Sequence, residues 1–128
     1  MTDTEEWREA LPHRAGDFSL GAVSARLATH TTPAVVRDVV DDLGRGLLAQ
    51  LWGEPADRDW LGECGGPLGA ALVLAEVDAA ASALRSHVAG ARASLLADLV
   101  EDHSLVELAE LIGVSRQALH KTLRNRGL

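Results

Sequence analysis

Between Val114 and Leu128 the chain carries Arg116, Lys121, Arg124 and Arg126 and no acidic residue. Arg116, Gln117, His120, Lys121 and Arg124 recur at spacings of three and four, which places them together on the outer face of a helix starting after Ser115. Cations in that arrangement suit a polyanion. A guanidinium fork meets a guanine edge or a phosphate with two parallel hydrogen bonds, and a carboxamide matches adenine in the same way. The setting sharpens the contrast: the whole chain has 12 basic and 19 acidic side chains and a net charge of −7. The residues before Val114 therefore hold 8 basic and 19 acidic side chains, a net −11, and it is the local balance that a phosphate backbone would meet.

Other reactive residue types lead nowhere comparable. His103 and Glu107 are four apart and can share a helix face, but two ligands without a third do not make a metal site, and HExxH and CxxC patterns are absent. Cys64, the single cysteine, stands beside Gly65 and Gly66 with no histidine at a spacing that would activate it, so a buried thiol is expected. The run from Gly62 to Gly69 is glycine-rich but lacks the Lys-Ser/Thr of a phosphate loop. Trp7, Trp52 and Trp60 are expected to anchor helix packing rather than line a pocket. Asp38, Asp41 and Asp42 read as a solvated face, with a docking surface for a basic partner as the other reading. No catalytic residue, metal or cofactor is expected, and the chain is not expected to be an enzyme.

Composition dictates the elements that must position these residues. Apolar residues make up 47% of the 128 positions and aromatics only 3%. Ala and Leu lead the helix-propensity scale, while β-branched and aromatic residues are scarce, so an all-α fold is predicted. A lone cysteine excludes a disulfide scaffold, and an acidic, polar N-terminus offers no signal peptide. The longest charge-free stretch, Cys64 to Ala75, is too short and glycine-rich to span a bilayer. A cytoplasmic, nucleoid-located protein with no membrane partner is expected.

Thr4 followed by Glu5, Glu6, Trp7 and Leu11 predicts a short helix ended by Pro12, and Asp17 can cap a second carrying Leu20, Val23 and Leu27. Thr32-Pro33 marks a third start. From there Val36, Val39, Val40, Leu43, Leu47 and Leu51 predict one amphipathic helix to about Trp52, with a bend allowed by Gly44 and Gly46. A turn or short helix through Leu61 and a loop over Gly62–Gly66 precede Pro67. The longest segment follows, with Val73, Val77, Ala80, Leu84, Val88, Ala91, Leu95 and Leu99 forming one stripe. Such a stripe either closes an intramolecular bundle or pairs with a second copy, and Gly90 could split the helix. Val73, Val77, Leu84, Val88 and Leu95 are the candidate dimer contacts.

Ser104-Leu105-Val106-Glu107 reads as a capping box opening a helix through Ile112. Gly113 supplies a turn, and Ser115 caps a last helix whose buried side is Leu119 and Leu123. Leu108 through Leu119 resembles bacterial helix-turn-helix regulators: Ala109 is the small residue where the helices touch, Gly113 the turn, Val114 and Leu119 the buried positions. The ending through Arg124-Asn125-Arg126-Gly127-Leu128 is most similar to the Fis-type C-terminal unit. The resemblance covers about residues 90–128; Thr122 departs from it, standing where many such motifs have an aliphatic side chain.

The resemblance implies double-stranded DNA as partner, with the last helix in the major groove. Arg116 and Gln117 would then read bases, Ser115, Lys121, Arg124 and Arg126 would hold phosphates, and His120 lies among them. Ser104 and the amides of its helix would anchor a further phosphate. The expected architecture is a helical dimerisation or sensing region over 1–89 and a helix-turn-helix unit over 90–128. A small bacterial transcriptional regulator or nucleoid-associated protein is predicted, a homodimer on a palindromic site, its effector open. The alternative is an acidic helical adaptor gripping a protein with the same C-terminal hairpin.

Overall fold

The computed structural model describes residues 2–125. Among them every regular element is helical, in the order α1 (Asp3–Ala10), a 3-10 turn (Pro12–Arg14), α2 (Leu20–Ala28), α3 (Pro33–Asp41), α4 (Arg45–Leu51), α5 (Trp60–Glu63), α6 (Gly66–Leu99), α7 (Leu105–Ile112) and α8 (Arg116–Arg124). The chain divides into two compact units, Met1–Ala83 and Leu84–Leu128, so the boundary falls within α6 and six residues before the expected one.

Helix starts follow local chemistry. α1 opens two residues earlier than expected, because Thr2 and Glu5 form a reciprocal capping box: Glu5 N donates to Thr2 Oγ1 at 3.2 Å and Thr2 N to Glu5 Oε2 at 3.1 Å. Asp17 accepts from Ser19 N at 2.9 Å in the turn before α2, which begins only at Leu20. Thr32 Oγ1 accepts from Val35 N, and Pro33 occupies the first turn of α3.

The helix expected to run from Thr32 to Trp52 is two helices. Leu43 (φ 55°) and Gly44 (φ 77°) both take left-handed backbone, which no α-helix tolerates in its interior. Asp42 holds the break, its carboxylate accepting from Gly44 N at 2.9 Å and Gly46 N at 3.2 Å. Asp42 is thus a local cap, and Asp38 pairs with Arg58 at 3.1 Å, so two of the three acids read as a solvated face have structural partners.

The core of the first unit is built from Trp7, Leu11, Leu27, Val36, Val39, Leu47, Cys64 and Val73. Trp60 is half-buried against this core and lies under the Arg58 guanidinium at 4.0 Å. Trp52 is 73% exposed and anchors nothing, because the chain turns at Gly53 immediately after it.

α6 runs 34 residues without interruption, so Gly90 does not split it. By length and composition it is also long and apolar enough to cross a membrane. Its first half, however, is committed to a core: Ala70, Val73 and Val77 are buried there. The same stretch buries Glu76, whose carboxylate accepts from Arg14 Nε at 2.6 Å, Arg14 Nη2 at 3.1 Å and His13 Nε2 at 3.1 Å. This triad ties the 3-10 turn to the long helix.

The packing also corrects the candidate dimer contacts. Val73 and Val77 lie inside the first unit's own core and are out of reach of a second copy. Leu84, Val88 and Leu95, continuing the same stripe, are 48%, 55% and 64% exposed. One periodicity therefore serves two surfaces, because α1 to α5 cover only the first half of the stripe.

Candidate nucleic-acid interface

The second unit has a core of Leu96, Leu108, Ala109, Leu119 and Leu123, with Val100, Leu105, Ile112 and Val114 packed against it. Apart from Val100, which follows the last residue of α6, each of these positions comes from α6, α7 or α8 or from the turn between the last two. Ser104 Oγ accepts from Glu107 N at 3.1 Å and caps α7. The reciprocal half of the expected capping box is replaced: the Glu107 carboxylate accepts from His103 Nδ1 instead. His103 and Glu107, considered above as metal ligands, are thus paired with one another.

α7 ends at Gly113, whose φ of 76° requires a residue without a Cβ penalty. Ala109 O accepts from both Gly113 N at 3.0 Å and Val114 N at 3.1 Å, closing the turn. Ser115 Oγ then accepts from Ala118 N at 3.0 Å and starts α8. Thr122, the departure from the aliphatic pattern, is half-buried and donates its hydroxyl to Ala118 O at 3.0 Å, so the polar group is satisfied by its own helix.

With Leu119 and Leu123 turned inward, the other face of α8 is left to solvent. Arg116, Gln117, His120, Lys121 and Arg124 line one concavity of about 840 Å³ together with Leu105 of α7. All five outer-face residues expected from spacing are therefore brought together. Leu105 is the member the sequence reading missed, since it lies on a different helix from the other five; it also packs against the core. None of Arg116, Lys121 and Arg124 has an ion-pair partner among the described residues. Lys121 and Arg124 stand in the last turn of α8, where cations also complement the helix dipole.

Ser104 and Ser115 do not line the concavity; each spends its oxygen on an amide at a helix start. Arg126 lies outside the described residues.

Elsewhere, Cys64 is fully buried, and burial, followed by the negative charge of Glu63, pushes its thiol above the ordinary range. Such a thiol holds its proton and is a poor nucleophile.

Comparison with protein-family models, with curated proteins and with solved structures returned no match.

Proposed function

We propose that this chain is a sequence-specific DNA-binding protein, a small bacterial transcriptional regulator or nucleoid-associated protein, acting as a homodimer on a roughly palindromic site and performing no chemistry of its own. The observation that carries the reading is the outer face of α8. Three cations without acidic partners among the described residues, a glutamine and a histidine share one concave surface on a helix that is capped at its start and anchored by two buried leucines. That is what a major-groove helix needs: reach, positive charge and a fixed orientation. Arg116 and Gln117, in the first turn, are the base readers; Lys121 and Arg124, a turn or two later, hold phosphates. The unit from Leu84 onward has six basic and five acidic side chains, against six and fourteen before it, so charge favours DNA at this end only.

The adaptor reading has one observation in its favour. Val106 and Leu111 of α7 are exposed with Glu107 and Glu110 beside them, a surface better suited to protein than to phosphate.

Capture of sheared genomic DNA by the full chain at near-physiological salt, followed by sequencing, separates the two. Enriched fragments sharing a palindrome, lost with Arg116→Ala/Lys121→Ala, support the DNA reading. Recovery that is uniform, or unaffected by the double substitution, counts against sequence-specific binding through α8. No recovery at all favours the adaptor.

A further inference from the structure

The stripe on α6 continues beyond the part that α1 to α5 cover, and it does so with coiled-coil spacing. Leu84, Val88, Ala91 and Leu95 follow one another at four, three and four residues, and all four are exposed. The buried positions of this half of the helix, Ala93 and Leu96, are off this line. From Ala79 to Ala97 the helix carries no acid, only Arg85, His87 and Arg92. We infer that this face is closed by the same face of a second copy, running antiparallel about a two-fold axis near Ser86.

Three features select that occupant and that direction. In an antiparallel pair the apolar layers combine Leu84 with Val88 of the second copy and the reverse, with Ala91 and Ala81 meeting at either side. Large residues fill the centre, and alanines let the backbones close at the flanks. Next to the stripe, Asp78, Arg85 and Arg92 stand at exposed positions seven residues apart. Antiparallel packing puts Asp78 beside the second copy's Arg92 twice, at the expense of one Arg85–Arg85 approach near the axis. Parallel packing would instead face Asp78, Arg85 and Arg92 with Val73, Ala80 and His87, none of which is acidic. The third feature is spacing. Leu96, which anchors the second unit's core to α6, would lie about 30 Å along the axis from its counterpart, ten residues of helix on each side of Ser86 at 1.5 Å per residue. Half-sites one turn of DNA apart are separated by about 34 Å. Only this last feature rests on the DNA-binding reading.

The test uses the full chain without DNA, so its failure and the failure of the DNA-binding reading are separable. Sedimentation equilibrium at tens of micromolar should give a dimer for the natural chain and a monomer for Leu84→Glu with unchanged helical circular dichroism. Should that variant misfold, a charge exchange serves: Arg92→Glu should weaken the dimer, and adding Asp78→Arg should restore it. Direction is read from spin labels at Asp98→Cys in a Cys64→Ala background. Antiparallel helices place them about 36 Å apart along the axis, whereas parallel helices, whose axes approach to about 10 Å, keep them within roughly 20 Å. A monomeric natural chain, a folded Leu84→Glu dimer, a charge exchange without rescue or a short label distance would each overturn the inference.

Discussion

Replacing Glu76 by Gln tests how the first unit is held. The carboxylate accepts three hydrogen bonds, two from Arg14 and one from His13, and is only 5% exposed. Gln keeps the shape but turns one oxygen into a donor facing the guanidinium, leaving a cation under-partnered at a largely buried site. Breaking a buried ion pair costs about 3–5 kcal/mol. Because the Arg14 side chain retains 22% exposure and can draw on water, the lower end applies, about 3 kcal/mol. That is a large share of a typical domain's 5–15 kcal/mol or so. Urea unfolding followed by tryptophan fluorescence reads it, since Trp7, Trp52 and Trp60 all lie in the first unit.

The pH dependence has a definite sign. Burial works to raise the Glu76 carboxyl, but the hydrogen bonds from Arg14 and His13, with the attraction of both, outweigh it and hold it below the ordinary range. A depressed folded value means that the contribution is complete above the unfolded value of about 4.3 and is lost as pH falls through the folded one. The gap between the natural chain and Glu76→Gln should therefore shrink as pH falls below about 4. A loss under about 1 kcal/mol at pH 7, or a gap that does not narrow at all as pH falls below about 4, would refute this account of the triad.

Three further outcomes are expected. Lys121→Ala should weaken DNA binding about equally for all sequences and flatten the dependence of log K on log salt by about 1.8 for a dimer, read by fluorescence anisotropy; an unchanged slope would remove Lys121 from the phosphate contacts. Gly113→Ala should destabilise the second unit by about 1–2 kcal/mol, because the strain lies in the left-handed backbone while the space around a Cβ is open; differential calorimetry would register a lowered melting transition. Cys64 should resist a thiol reagent in the native chain and react stoichiometrically in denaturant, and rapid native labelling would contradict its burial.

The parts of the fold legible in the sequence are those decided by neighbours in the chain. Thr32-Pro33, Ser104, Gly113 and Ser115 announce their helix ends because a cap needs an oxygen or a positive φ within three residues. The outer face of α8 was legible for the same reason: spacing alone puts Arg116, Gln117, His120, Lys121 and Arg124 on one side. What periodicity does not convey is who covers an apolar stripe. Val73 and Val88 are equivalent in pattern, yet one is buried by α1 to α5 and the other is bare. Nor did pattern reveal the break at Leu43-Gly44, since Leu43 is a strong helix former there forced into left-handed backbone. The Glu76 triad was invisible because its partners lie 62 and 63 residues away.

The unbroken α6 has a consequence for how the protein comes apart. Each unit keeps its own hydrophobic cluster, and from Ala81 to Arg92 the connecting helix belongs to neither. A stretch of about 12 residues is marginal as an isolated helix, and Gly90 lowers its tendency further without meeting any side chain that requires it. Local opening should concentrate there, so its amides would exchange with solvent faster than those of either cluster. Denaturation would then proceed in two cooperative steps rather than one, with the weaker cluster lost first. Pairing of two copies over this stretch would raise its protection, coupling the exchange of what are otherwise the fastest-exchanging amides of α6 to protein concentration.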